Sequence, residues 1–211
     1  MGIVTGIEES RGRVTIYVDS VAFLKIKKKE FEALSVSPGE DLDEDAYLNK
    51  LCARQAKPAY EAALNLLTAR DMTAHDLKSA LRRRGYLEAV AEATCERLIE
   101  NRLINDEKFA QRYVELRQDS SVGRYAMKRK LRAKGIDEQI AEQALEVLDD
   151  ESQLAAAKAL AARLAKKYEK EEPYARKGKL SQALARRGFS WDIVKEAVES
   201  LSIEEDEADN W

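Results

Sequence analysis

The stretch "LRRRGY" stands at residues 81–86, "LRAKGI" at 131–136 and "LARRGF" at 184–189. Each copy has a leucine, three residues of which at least two are basic, a glycine and a large apolar residue. The copies are separated by about fifty residues, a spacing within the range of tandem structural repeats. The sequence therefore predicts an internal repeat with three copies.

The repeat extends well beyond these short stretches. The repeat is defined by five offsets from the glycines Gly85, Gly135 and Gly188: eight and four residues before, and one, five and thirteen after. All fifteen positions are apolar. In a chain that is 45% hydrophobic, chance would produce this agreement with a probability of about 10⁻⁵.

The offsets also indicate what each copy is. Apolar residues eight and four positions before the glycine share one helical stripe, and those after it share a second. Glycine suits the left-handed residue that ends many helices. A further helical segment precedes each pair, namely Tyr60–Arg70, Glu107–Gln118 and Leu154–Tyr168. We therefore expect a three-helix unit, repeated three times.

Two prolines and a capping pattern predict where helices begin. Pro58 and Pro173 are each expected to open a helix, because proline is favoured in the first helical turn. Thr73, with Asp76 three residues later, resembles a capping box at the start of a middle helix.

The first residues alternate between apolar and polar types, which is typical of strands. "IVTGIEE", "RVTIYVD" and "VAFLKI" predict a small antiparallel β-meander, and "SPGEDLDED" (residues 37–45) a hydrophilic hinge. The predicted organisation is a meander and hinge over 1–45, repeats over 46–104, 105–149 and 150–203, and an acidic tail over 204–211. The fold class is mainly α, with the three repeats in tandem behind the meander.

The net charge of the chain is −3, but its acidic and basic residues are unevenly distributed along the sequence. Residues 1–45 hold six basic and ten acidic side chains, and residues 204–211 hold five acids and no base. The intervening 46–203 has 30 basic and 24 acidic side chains, a net charge of +6. The body of the protein therefore mildly favours an anionic partner.

Composition also narrows the class of protein. The apolar runs are too short to cross a bilayer and the start of the chain lacks a signal-peptide core, so we expect a cytoplasmic protein without membrane contact. Cys52 and Cys95 lie far apart without neighbouring ligands, which predicts two buried thiols rather than a metal site.

The predicted middle helices are rich in cations. Residues 124–134 contain no acid, and cations with this density favour an anionic partner surface. Lys78, Arg82, Lys128 and Arg132 lie off the apolar stripe and should face solvent. The candidate contact residues are Lys78, Arg82, Arg83, Arg124, Lys128, Arg129, Arg132, Lys177, Lys179 and Arg186. Helix-turn-helix contact with DNA and a protein-binding helical scaffold both remain open at this point.

Catalysis is not indicated. His75 falls in the first turn of a predicted helix without a convergent nucleophile, and the sequence has no phosphate-binding loop. We therefore predict no enzyme activity, cofactor or metal. Tyr86, Phe189 and Trp191 are aromatic residues of the kind that stack on bases. Because two of them directly follow the glycine stop, we expect all three to be core or cap residues.

The order of these motifs resembles the RecX family of recombinase regulators. The similarity rests on "AYEAALNLLTARDMTAHDLKSALRRRGY" (59–86), on "RLIENRLINDEKFAQRYVELR" (97–117) and on "LARRGF" with "IVKEAVESL" near the end. The family pattern falls on Ala63, Leu64, Leu67, Arg70, Leu77, Leu81, Gly85, Tyr86, Leu98, Asp106, Phe109, Ala110 and Tyr113. The β-meander is similar to the extension of the family's longer form.

The resemblance implies an elongated, curved array of three repeats that acts as a monomer. Proteins of this family bind the RecA–single-stranded DNA filament in its helical groove and inhibit its extension, ATPase, strand-exchange and co-protease activities. Weak binding to duplex DNA is a further expectation. The acidic tail over 204–211 matches no motif of the family.

Overall fold

The computed structural model of the chain describes residues 1–118 and 121–208, with side chains described as far as residue 201. The chain divides into two compact units, Met1–Ile104 and the part from Asn105 onward. The first unit holds the N-terminal sheet and repeat 1, and the second holds repeats 2 and 3.

The N-terminal sheet contains the predicted meander. Strands β1 (Gly2–Ser10), β2 (Arg13–Val18) and β3 (Val21–Lys27) pair antiparallel. Residues 11–12 and 19–20 form the two connections and all have positive φ. Two-residue turns of this kind match the twist of the strands that they join.

One further strand and a short helix complete this region. Helix α1 (Lys28–Ala33) follows β3, and β4 (Asp41–Leu42) pairs with β1, so that the order is β3-β2-β1-β4. Strand β4 lies inside the stretch that the sequence predicts to be a hinge. Its two residues are too few to show an alternating pattern, so the sequence carries no signal for it.

Helix α2 (Glu44–Ala69) begins against the sheet and ends inside repeat 1. Its buried residues Tyr47 and Leu51 belong to the same hydrophobic cluster as Val4 and Ile16 of the sheet. The Tyr47 hydroxyl also donates a hydrogen bond of 2.9 Å to the carbonyl of Leu34. The sheet is therefore anchored on the first half of α2.

The prediction that Pro58 opens a helix is wrong, because Pro58 lies inside α2. A proline in a helix interior frees the carbonyl four residues earlier. That carbonyl belongs to Arg54, an exposed residue, so water can hydrogen-bond to it and the helix continues. Pro173, by contrast, opens a helix as predicted.

Each repeat consists of three helices, as predicted. Repeat 1 uses the second half of α2, with α3 (Ala74–Arg83) and α4 (Glu88–Glu100). Repeat 2 has α5 (Asp106–Glu115), α6 (Arg124–Ala133) and α7 (Glu138–Leu145). Repeat 3 has α8 (Asp150–Ala165), α9 (Pro173–Arg186) and α10 (Trp191–Ala208), with a 3₁₀ turn after α8. Helix α10 thus continues into the predicted tail, of which residues 209–211 lie outside the described residues.

The three glycines end the middle helices α3, α6 and α9 as predicted. Their φ angles are 83°, 74° and 86° for Gly85, Gly135 and Gly188. In each repeat the N–H of the next residue donates to the carbonyl four residues before the glycine, as in Tyr86 to Leu81 at 3.3 Å. These bonds define a Schellman motif, and Thr73 caps the other end of α3 by accepting from the Asp76 N–H at 3.1 Å.

Each repeat has a hydrophobic core of its own. Six residues at the predicted core offsets of repeats 1 and 2 are at most 1% exposed: Leu77, Leu81, Leu98, Met127, Leu131 and Leu148. Burying a leucine side chain contributes about 1.5–3 kcal/mol. The offset of five after the glycine is less uniform, since Val90 is buried and Ile140 is half-buried.

Repeats 2 and 3 approach each other closely at two glycines. The N–H of Gly123, just before α6, donates to the Arg187 carbonyl at 2.9 Å, and the Tyr125 N–H donates to the Gly188 carbonyl at 3.0 Å. A Cβ on Gly123 would lie 2.3 Å from the backbone of Gly188. Only residues without a side chain allow this approach.

Candidate functional site

The ten candidate contact residues lie on the middle helices α3, α6 and α9. The structure separates them into residues that are bonded within the chain and residues that are not. Only the second group can bind an anionic partner without first losing a bond inside the protein.

In repeat 1, Lys78 and Arg82 bind acidic residues of α4. The Lys78 Nζ lies 3.0 Å from a carboxylate oxygen of Glu88 and 2.9 Å from one of Glu92. The Arg82 Nε lies 2.5 Å from the other Glu88 oxygen. Hydrogen bonds to Glu92 and to Glu88 raise the pKa of Lys78 above its ordinary value of 10.5. This ion cluster joins α3 to α4.

Repeat 2 contains the same ion cluster at equivalent positions. Lys128 Nζ lies 2.9 Å from Glu138 and 2.7 Å from Glu142, and Arg132 Nη1 lies 3.8 Å from Glu138. Hydrogen bonds to Glu142 and then Glu138 raise the pKa of Lys128. The hydrogen bond from Lys128, together with the charges of Lys128 and Arg132, lowers the pKa of Glu138.

The expectation that four of these cations face solvent is therefore half correct. The side chains of Arg82 and Arg132 are 58% and 60% exposed. Those of Lys78 and Lys128 are only 29% and 26% exposed, because each bends toward two glutamates of the following helix. The glutamate partners stand three and seven residues after the glycine in both repeats. This recurrence is the one feature of the sequence that indicates the pairing of Lys78 and Lys128.

Arg124 and Lys179 are also bonded within the chain. Arg124 is half-buried, its guanidinium donates to the Leu148 carbonyl, and its backbone N–H donates to the side chain of Gln153 at 2.9 Å. It therefore holds the start of α6 against the start of repeat 3. Lys179 pairs with Glu171, which precedes α9.

Four candidates remain unpaired. Within residues 1–118 and 121–201 they form no ion pair, and all are exposed: Arg83, Arg129, Lys177 and Arg186. At least one comes from each repeat. Lys130, next to Arg129, is exposed and unpaired in the same part of the chain. These side chains can bind phosphate or carboxylate groups without breaking an existing bond.

The aromatic residues differ from one another. Phe189 is buried at 4% exposure. Tyr86 is half-buried, and its hydroxyl donates to the Pro58 carbonyl at 3.1 Å. The expectation of a core or cap role is wrong for Trp191, whose side chain is 67% exposed at the start of α10.

The structure also gives the positions of the histidine and the two cysteines. His75 is exposed in the first turn of α3. Cys95 is buried as predicted, whereas Cys52 is half-buried. No group of three or more metal-binding side chains occurs among the described residues. Over the same residues, no helix is both long and apolar enough to span a bilayer.

Comparisons with known proteins match all three repeats. The family models for the first, second and third three-helix domains of RecX match residues 59–98, 105–145 and 150–198. Regulatory protein RecX of Clostridioides difficile is 30% identical over 205 residues, covering 95% of this chain and 96% of that protein. Its counterpart in Levilactobacillus brevis is 28% identical and covers 100% of this chain and 80% of that protein.

A solved structure agrees with this result. The crystal structure of a regulatory protein RecX superposes with a TM-score of 0.67 at 26% identity, covering 94% of this chain and 100% of that one. Sequence, repeat architecture and structural similarity point to the same group of proteins. The chain belongs to the RecX family of regulatory proteins.

Proposed function

We propose that the chain is a negative modulator of the RecA recombinase and acts in the cytoplasm as a monomer. It binds in the groove of the RecA–single-stranded DNA filament. Binding there inhibits filament extension, ATP hydrolysis, strand exchange and co-protease activity. The chain acts by binding and not by catalysis.

One observation carries this proposal, namely the match of a separate RecX domain to each of the three repeats. A similarity limited to one three-helix unit would support only a fold, because such units occur in many proteins. Here the matches follow one another in the family's order and span most of the chain.

The unpaired cations support the proposed contact with the filament. Arg83, Arg129, Lys177 and Arg186 carry charge that no described acid neutralises. A RecA–DNA filament presents phosphates along its length, and each phosphate that is bound by a cation releases counterions and favours association. The ion clusters around Lys78 and Lys128 have the different role of joining helices.

The proposal is tested by titrating the chain into cognate RecA that hydrolyses ATP on single-stranded DNA. We expect suppression at fewer chains than RecA subunits, since blocking extension affects every subunit that would have been added. If saturating amounts of the chain leave the ATPase rate unchanged, the proposal is wrong. Sequence-dependent binding to duplex DNA without RecA would instead indicate a stand-alone helix-turn-helix protein.

A pair of variants tests the contact residues in the same assay. The quadruple change of Arg83, Arg129, Lys177 and Arg186 to Ala should weaken suppression without changing thermal unfolding. The matched control is the quadruple change to Ala of four exposed cations outside the middle helices: Lys25, Lys29, Lys50 and Lys57. Equal loss of suppression in both variants would show that net charge, and not the middle helices, governs binding.

A further inference from the structure

The ion cluster of repeats 1 and 2 has no counterpart in repeat 3. Its members stand seven and three residues before the glycine, and three and seven residues after it. In repeat 3 these positions hold Ser181, Ala185, Trp191 and Lys195. Two small residues and a tryptophan thus replace two cations and a glutamate, and the second glutamate becomes a lysine.

The helix face at these positions is open. Tyr174, Gly178, Ser181 and Ala185 are spaced by four, three and four residues, which places them on one face of α9. A Cβ added to Gly178 would meet no atom within 4 Å. Tyr174 is 93% exposed at one end of the face, and Trp191, 67% exposed, occupies the position of Glu138 in repeat 2.

The charges around this face are positive. Helix α9 contains four cations and no acid between Pro173 and Arg186. Lys177 lies one turn from Ser181, and Lys195 one turn from Trp191. Both lysines are exposed and, among the residues with described side chains, form no ion pair.

The acidic residues at the start of α10 lie on its other side. Asp192 and Glu196 line a hollow together with Asp150 and Glu151 of α8. In repeat 2 the residues equivalent to Trp191 and Lys195 contact α6, the middle helix. Helix α10 therefore separates an acidic flank beside α8 from a flank with Trp191 and Lys195 beside α9.

We propose that Trp191 is a stacking platform for a base of single-stranded nucleic acid, with Lys177 and Lys195 binding the adjacent phosphates. The inference rests on the proposed function, in which the partner filament contains single-stranded DNA, and it assigns that contact to repeat 3. An exposed aromatic ring beside unpaired cations is the arrangement that single strands bind, because every base has a face that can stack. Bases in a duplex are already stacked and offer no such face.

The proposal predicts the size of two effects. Stacking of one base on an aromatic side chain contributes about 1–3 kcal/mol, so Trp191→Ala should weaken binding to a single strand by about 5- to 150-fold. Trp191→Phe should retain most of the affinity. Lys177→Ala and Lys195→Ala should each reduce the slope of log affinity against log salt by about 0.7.

Tryptophan fluorescence gives the direct test. The chain contains two tryptophans, Trp191 and Trp211, so a full-length Trp211→Phe variant reports on Trp191 alone. Adding single-stranded oligodeoxythymidylate should quench the emission, and the matched duplex should leave it unchanged. Val147→Ala, which removes an apolar side chain that is 58% exposed in repeat 2, is the control and should bind as the unmodified chain does.

Three results would overturn the proposal: unchanged emission at saturating oligodeoxythymidylate, equal quenching by duplex, or unchanged affinity of Trp191→Ala. A change in emission on adding DNA-free RecA, with none on adding the single strand, would assign the face to protein instead. The RecA ATPase titration distinguishes failure of this inference from failure of the proposed function. Suppression without quenching removes the stacking platform and leaves the proposed function intact, whereas absence of suppression removes the proposed function.

Discussion

Lys128 and Arg129 are neighbours in α6, yet their surroundings give them different roles. Lys128 is held between Glu138 and Glu142 of the next helix. Arg129 is exposed and has no acidic partner in the described part of the chain. A cation that already binds two carboxylates must lose those bonds before it can bind a partner, so Arg129 is the better contact residue.

The first prediction compares these neighbours. Lys128→Ala should lower the thermal unfolding temperature, because Glu138 and Glu142 lose their shared partner. Arg129→Ala should change the free energy of unfolding by no more than about 0.5 kcal/mol, and should reduce the slope of log affinity for single strands against log salt by about 0.7. Circular dichroism and fluorescence anisotropy measure the two effects. An Arg129→Ala variant that unfolds earlier than Lys128→Ala would contradict this assignment.

The second prediction concerns pH. Lys128 and Arg132 lower the pKa of Glu138 in the folded protein below its ordinary value of 4.5. The ionised Glu138 therefore stabilises the folded state above pH 4.5, and this contribution is lost as the pH falls through the lower pKa of the folded protein. Glu138→Gln should therefore be less stable than the unmodified chain at neutral pH, with the difference shrinking below pH 4.5. Urea unfolding midpoints measure this. Glu199→Gln, an exposed glutamate of α10, is the control and should show no such trend.

At the scale of helices and turns, glycines determine both where the middle helices end and how repeats 2 and 3 meet. Gly85 and Gly188 both adopt positive φ. Only Gly188 also lies against another backbone, where an added Cβ would come within 2.3 Å of the Ala126 nitrogen. Gly123 has an ordinary φ of −77° and the same close approach.

The third prediction uses these differences. Gly85→Ala should destabilise by roughly 1–2 kcal/mol from backbone strain, and Gly123→Ala by about 1–3 kcal/mol from overpacking. Gly188→Ala should show both effects and be the most destabilised of the three. Chemical denaturation gives the three free energies of unfolding. A Gly188→Ala variant no less stable than Gly85→Ala would show that the backbones of repeats 2 and 3 do not stay in contact in solution.

Much of the architecture could be predicted because helical spacing and glycine stops are local signals. The three glycine ends, the meander and the cap at Thr73 are confirmed. The prediction for Pro58 is wrong, because proline is compatible both with the first turn of a helix and, at the cost of one hydrogen bond, with a position inside it. Strand β4 is too short to leave a pattern.

The candidate site could be predicted only in part. Helical spacing identifies which cations lie off the apolar stripe, but it does not show which acids face them across a turn. For Lys78 and Lys128 the only local indication is the pair of glutamates that recurs three and seven residues after each glycine, and the packing of α4 and α7 shows the bonds. The prediction for Trp191 is wrong because it extends to this residue what holds for Tyr86 and Phe189, which directly follow a glycine stop. Trp191 stands three residues after the glycine, and its exposure depends on how α9 and α10 pack.

At the scale of the whole molecule, each of the four hydrophobic clusters lies entirely on one side of the division after Ile104. The sheet and repeat 1 are built from buried residues of the first unit, and repeats 2 and 3 from buried residues of the second. Each unit thus contains complete cores, which is the property expected of an independently folding domain.

The fourth prediction follows from this division. Fragments covering residues 1–104 and 105–211 should each be helical and show a cooperative thermal transition when expressed alone. Circular dichroism and calorimetry measure this. A control fragment covering residues 1–70 should fail to fold, because it lacks Leu77 and Leu81, which share a core with Ala63. Two unfolded fragments from the cut after Ile104 would contradict the prediction.

Helix α2 has a consequence for how the first unit unfolds. Its early residues Tyr47 and Leu51 complete the core of the sheet, and Ala63 completes that of repeat 1. Because a single uninterrupted helix belongs to both cores, unfolding of either core unwinds α2 and removes buried residues from the other core. Sheet and repeat should consequently melt as one cooperative block, and amide protons in β2 and α3 should exchange with solvent at matching rates.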